Sequence, residues 1–116
     1  MKRYVASVVG IVALMLSGTV VTAPTASAAS SSRCGYTNSE PVLSRGSTGI
    51  AVKQVQCELF YSLSTSNLVR DGIFGAATQA DVKKFQACAG LTTDGIVGEF
   101  TWYLLNRYTA ASSPAC

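Results

Sequence analysis

The chain has 116 residues, of which 48% are apolar, with nine Lys and Arg against six Asp and Glu and no histidine at all. That length supports one domain with a modest core. The missing histidine removes Ser-His and Cys-His bases and the usual hydrolytic zinc ligand sets.

The apolar excess is concentrated at the start. Lys2 and Arg3 precede an apolar run from Val5 to Val21, and Ala26-Ser27-Ala28 offers the small residues that signal peptidase accepts. Residues 1–28 therefore read as a secretory signal cleaved after Ala28, with a retained anchor as the alternative. The remainder, Ala29–Cys116, carries seven Lys and Arg against six Asp and Glu, a net charge of +1. The basic residues are scattered, so there is no electrostatic footprint for nucleic acid or for an anionic membrane. Cys34, Cys57, Cys88 and Cys116 all fall in this exported part and read as two disulfides. No pair has Cys-x-x-Cys spacing, which speaks against structural zinc. Three pairings are open. Cys57–Cys88 with Cys34–Cys116 is favoured, because the first joins two predicted helices and the second clamps both tails onto the domain.

After a polar N-terminal tail at 29–40, a domain is expected over 41–108, followed by a C-terminal tail at 109–116. Val52, Val55, Gln56, Leu59 and Leu63 fall on one face of a helix spanning about 49–63. Thr78, Val82, Phe85 and Ala89 do the same over 76–88, with Gly90 as its C-cap. A third helix is expected over 99–108, with Trp102, Leu105 and Tyr108 inward.

A short repeat precedes the second and third helices. Asp71-Gly72-Ile73-Phe74-Gly75-x-x-Thr78 recurs as Asp94-Gly95-Ile96-Val97-Gly98-x-x-Thr101. Each Asp-Gly makes a tight turn, the two apolar residues drop into the core, and the second glycine lets the backbone swing into a helix. Asp71, Asp94, Thr78 and Thr101 are read as structural, satisfying backbone donors at turns and helix starts.

Taken in order, Arg45-Gly46-Ser47-x-Gly49-x-x-Val52-x-x-x-Gln56, the first repeat with Val82 and Phe85-Gln86, and then Gly90-Leu91 with the second repeat and Trp102 resemble the peptidoglycan-binding-like domain of exported bacterial wall proteins. The match spans about residues 41–107. It implies a mainly α, compact three-helix fold with two Asp-Gly-x-x-Gly loops between helices, here stapled by two disulfides. It also implies a targeting module for peptidoglycan, usually attached to an amidase, muramidase or carboxypeptidase. Two departures stand out: Ala76 and Glu99 occupy places where that family commonly has proline, and Asp81 stands where a small apolar residue is usual. The second places Asp81 at a rim beside Lys84 or removes a little core.

Catalysis finds few parts. A carboxylate pair for glycoside hydrolysis could come from the six acidic residues, but Glu40 lies in the tail, Glu58 and Asp81 on helices, and Asp71 and Asp94 in turns. The expectation is a secreted, monomeric, non-catalytic module needing no cofactor or metal, which binds the glycan strand or stem peptide of peptidoglycan and touches no membrane once the signal is removed. A wall hydrolase is the weaker alternative. Aromatic faces suit sugars and arginine suits a carboxylate, which selects Tyr61 and Tyr103, off their helices' apolar stripes, and Arg70, beside the first turn, as candidate ligand contacts. Phe85 and Trp102 are placed in the core. A different class of reading is a secreted hydrolase inhibitor: metalloprotease prodomains resemble this fold and carry an Arg-Cys-Gly segment, present here as Arg33-Cys34-Gly35. That route needs a free Cys34 thiol.

Overall fold

The computed structural model describes residues 33–116, so the proposed signal at 1–28 lies outside the described residues. Three helices follow in order: α1, Ile50–Ser62; α2, Ala76–Cys88; and α3, Glu99–Ala110. All three expected helices form, the third running two residues further than its apolar spacing suggested. Each begins at a glycine N-cap, Gly49, Gly75 or Gly98, and none has a side-chain capping bond. Thr78 and Thr101 are thus not helix caps, as the sequence suggested, but stand inside the first turns with other partners. The end of α2 follows the expected glycine rule. Gly90 takes φ +76°, its N–H donates to Ala87 O, and Leu91 N–H donates to Gln86 O, which together close a Schellman motif.

Helix α1 packs against both α2 and α3. The core joins Val52, Val55, Leu59 and Leu63 to Phe74, Val82, Phe85, Val97, Trp102 and Leu105, with Leu43 closing one side. The stripes read from the sequence are therefore inward, although Ala89 and Tyr108 are only partly buried. Asp81 sits at a rim and accepts a hydrogen bond from Ser66 Oγ, while Lys84 donates to Thr65 Oγ1. Both tie the α1–α2 connection to α2.

Among the described residues there is no β-strand, only two isolated antiparallel bridges, Leu43 with Val97 and Thr48 with Ile73. The extended chain before α1 uses them to hold both Asp-Gly loops. Leu43 and Val97 exchange backbone bonds of 3.1 and 2.8 Å, and Gly49 N–H reaches Gly72 O at 2.9 Å. In an extended segment neighbouring side chains face opposite ways. Only the second apolar residue of each repeat enters the core. Phe74 and Val97 are buried, whereas Ile73 and Ile96 are 57% and 43% exposed, which corrects the expectation that both apolar residues drop inward.

The disulfides are Cys34–Cys57 and Cys88–Cys116, not the favoured Cys57–Cys88 and Cys34–Cys116. The reason lies in a second stripe on α1. Gln54, Cys57 and Glu58 are buried but outside the core cluster, beneath the N-terminal strap of residues 34–41. Cys57 therefore meets Cys34 on that strap. The C-terminal tail is fixed separately: Ala115 N–H donates to Ser62 O, Ser64 N–H to Cys116 O, and Cys116 reaches the last residue of α2.

Candidate functional site

Each Asp-Gly loop is clamped from below by a buried glutamine. Gln56 Oε1 accepts Gly72 N–H at 3.0 Å, while its Nε2 lies 3.0 Å from Asp71 Oδ1, 3.0 Å from Ile73 O and 3.1 Å from Thr78 Oγ1. Gln86 repeats this in the second loop. Its Oε1 accepts Gly95 and Asp94 N–H at 2.9 and 3.1 Å, and its Nε2 reaches Asp94 Oδ1, Ile96 O and Thr101 Oγ1 at 3.0, 2.9 and 3.2 Å. Asp71 and Asp94 also accept the N–H of Ile73 and Ile96 two residues on. Those backbone bonds first, and the glutamine amides second, hold both exposed carboxyls below the usual aspartate range. Sequence reasoning placed Gln56 on the apolar face without giving it a task. A glutamine at a core-facing position before an Asp-Gly turn was the available signal, since a buried amide needs partners.

Above each clamp lies an open cleft. The first, about 320 Å³, is bounded by Val69, Asp71, Ile73, Ala76 and Ala77; the second, about 250 Å³, by Thr92, Asp94, Ile96, Glu99 and Phe100. Equivalent positions thus build both, but the first rim carries small side chains where the second carries a carboxylate and an aromatic ring.

Beside the first cleft stands a cationic and aromatic platform at the end of α1. Phe60 and Tyr61 meet edge to face with centroids 5.3 Å apart. The Arg70 guanidinium lies 5.1 Å from the Phe60 ring centre and 5.7 Å from that of Tyr61, and Arg33 lies 5.0 Å over Tyr61. These distances are within cation–π range. Two of the three candidate ligand contacts, Tyr61 and Arg70, are thus brought together, along with Phe60 and Arg33, which the sequence reading did not select. Tyr103 is not among them. It sits on α3, 58% exposed, under Arg107 at 5.9 Å. Trp102 and Phe85 are fully buried.

The family model described as "Putative peptidoglycan binding domain" matches residues 48–105. The chain belongs to this peptidoglycan-binding domain family. A protein from Kitasatospora aureofaciens, described as uncharacterised, is 52% identical over 90 residues, covering 75% of this chain and 76% of that protein. The zinc D-Ala-D-Ala carboxypeptidase of Streptomyces albus G is 44% identical over 88 residues, which are 71% of this chain but only 34% of the enzyme. Among solved structures, the SleB N-terminal domain superposes with a TM-score of 0.58 at 34% identity, covering 61% of this chain and 96% of that one. A peptidoglycan-binding protein from Clostridioides difficile gives 0.55 at 38% identity, covering 60% of this chain and 43% of that one. The peptidoglycan-binding domain fold and the three-helix architecture are therefore established together.

Among the described residues no group of three or more Cys, Asp or Glu could hold a metal ion. Glu58 is wholly buried, and Asp71 and Asp94 are engaged in their loops. All four cysteines are paired, so Cys34 has no thiol with which to act as an inhibitory zinc ligand, and the prodomain-like route is closed.

Proposed function

We propose that the mature protein, exported and freed of residues 1–28, is a non-catalytic module that binds bacterial peptidoglycan through the face at the end of α1 and the first Asp-Gly cleft. The observation that carries this reading is the platform of Arg33, Arg70, Phe60 and Tyr61 adjoining that cleft. It combines aromatic faces for sugar rings with guanidinium groups able to take a stem-peptide carboxylate, on a fold whose relatives include proteins named for binding peptidoglycan. The domain proper is 41–108, Tyr103 with Arg107 forms a secondary contact on α3, and the repeat aspartates and threonines serve the loops. The proposal takes the mature protein to be a wall-associated monomer; among the described residues no helix is long and apolar enough to cross a membrane.

Purified protein mixed with insoluble peptidoglycan should co-sediment and leave the wall undegraded. A shallow site gives modest affinity for one fragment, so binding to the repeating polymer should far exceed binding to a soluble muropeptide. Retention should survive moderate salt, which screens mainly diffuse attraction between exposed charges. Arg70→Ala should weaken binding to intact wall but not to wall stripped of peptides by amidase, and Tyr61→Ala should weaken both. Protein remaining in the supernatant at low salt would overturn the proposal.

A further inference from the structure

Beneath the N-terminal strap lies a buried polar layer that the platform and clefts do not use. Glu58 is fully buried and its Oε1 has no hydrogen-bond partner; Asn106 Oδ1, on α3, is a second buried acceptor without a donor. The other Glu58 oxygen accepts from Gln54 Nε2 at 2.5 Å. That same amide fastens the strap. Gln54 Nε2 donates to Cys34 O at 2.8 Å, and Gln54 Oε1 accepts the N–H groups of Tyr36 and Thr37 at 2.9 and 3.2 Å. At the far end of the strap, Glu40 accepts from Asn106 Nδ2 at 2.7 Å.

A buried carboxyl on α1 and a second carboxyl on the strap are thus built into the strap's own anchorage. Burial, opposed by the Gln54 bond and reinforced by the like charge of Glu40, pushes the Glu58 pKa up to about 7. The other charged groups on the packed elements have their own contacts. Arg33, just before the strap, lies over Tyr61, Arg107 of α3 over Tyr103, and Asp81 and Lys84 of α2 bind Ser66 and Thr65. An ionised Glu58 in this layer leaves one buried oxygen without a protein donor, a state that burial penalises.

We propose that Glu58 is a proton-dependent latch for the N-terminal strap: neutral, it lets residues 35–41 lie closed on α1, and ionised, it drives them toward solvent. The Cys34–Cys57 disulfide tethers the strap at its start, so opening is a swing of the segment beyond it. Arg33, immediately before that tether, forms part of the platform, so opening of residues 35–41 changes the surface bordering the platform without moving Arg33 itself. This consequence for wall binding rests on the function proposed above, whereas the latch itself does not.

The test follows amide hydrogen exchange of Tyr36 and Thr37 in the oxidised protein without wall material, from about pH 5 to about pH 8 and corrected for intrinsic rates. Protection at both amides should fall on the order of tenfold or more across this range. Glu58→Gln should keep high protection with no pH dependence. Flat protection in the unmodified protein, or the same fall in Glu58→Gln, overturns the latch. Should Glu58→Gln not fold, Glu40→Gln serves instead: removing the like charge should move the midpoint to lower pH, and an unmoved midpoint counts against the proposal. Wall binding with flat strap protection would overturn the latch and leave the binding function standing. A steep fall in protection without wall binding would do the reverse.

Discussion

Replacing Gln56 with leucine keeps most of the side-chain volume and removes the glutamine's own hydrogen bonds to the first Asp-Gly loop. Asp71 is exposed and regains water at little cost. The Gly72 N–H, the Ile73 carbonyl and the Thr78 hydroxyl lose a partner at 3.0–3.1 Å in buried or partly buried surroundings. Each buried group left unsatisfied costs about 1–3 kcal/mol, and the apolar gain of leucine offsets part of the sum, so the net loss should be about 2–4 kcal/mol. For a domain of ordinary stability, roughly 5–10 kcal/mol, that is a large fraction. Urea titration of the oxidised protein, followed by circular dichroism and by the fluorescence of Trp102, the chain's single tryptophan, reads it directly. Gln56→Glu sharpens the argument. It preserves an acceptor for Gly72 but turns a carboxylate oxygen toward Asp71 Oδ1, 3.0 Å from the present nitrogen. It should therefore be at least as damaging at neutral pH and recover on acidification. A Gln56→Leu variant within about 0.5 kcal/mol of the parent, the range of an ordinary surface change, would refute the clamp. Gln86→Leu should cost as much or more, since Gln86 also receives Asp94 N–H.

The remaining expectations concern backbone, charge and covalent links. Gly72 and Gly95 share φ +76°, but a Cβ at Gly72 would meet the backbone oxygen of Gly49 at 3.2 Å, whereas at Gly95 it would meet the flexible Lys83 and Gln79 side chains. Gly72→Ala should therefore lower the melting temperature more than Gly95→Ala, both losing at least the roughly 1–2 kcal/mol of left-handed strain. Glu58 has a folded pKa of about 7, above the unfolded 4.5, so its stabilising contribution is full below about pH 4.5 and is lost as pH rises through about 7. Asp71 and Asp94 are shifted downward and act in the opposite sense at lower pH. Denaturation at a series of pH values should show greatest stability near pH 4–5 and a loss on the order of 3 kcal/mol by about pH 8, removed in Glu58→Gln. Non-reducing peptide mapping should return Cys34 joined to Cys57 and Cys88 to Cys116. Replacing the second pair with serine should cost about 3–4 kcal/mol in the chain-entropy account.

How much of this was legible in the sequence depended on which period carried the information. The three helices and their core stripes rest on 3.6-residue spacing, and Val52, Val55, Leu59, Val82, Phe85, Trp102 and Leu105 are all buried as that spacing requires. The loops needed a different rule. Ile73 and Ile96 were read as core because they are apolar and adjacent to Phe74 and Val97. Their short extended segments instead alternate, which sends the first residue of each pair into a cleft. The disulfides failed for a related reason. Cys57 was paired with Cys88 because that link joins two helices, although Gln54, Cys57 and Glu58 trace a second stripe at helical spacing that includes two polar residues. A polar stripe reads as solvent-facing only if nothing covers it. Here the cover is a tail with no periodicity of its own, fixed by backbone bonds to one glutamine. Tyr61 and Arg70 were selected as candidates because one lies off an apolar stripe and the other beside a turn, and the two lie together. Phe60 and Arg33 were missed because their partnership depends on how that tail folds back. Docking of the tail thus decides the cysteine pairing, the burial of Glu58 and the assembly of the platform together. Displacing the strap beyond its Cys34 tether should therefore expose Glu58 and change the surroundings of the platform, while the Cys34–Cys57 link and the helical core beneath Gln56 and Gln86 remain intact.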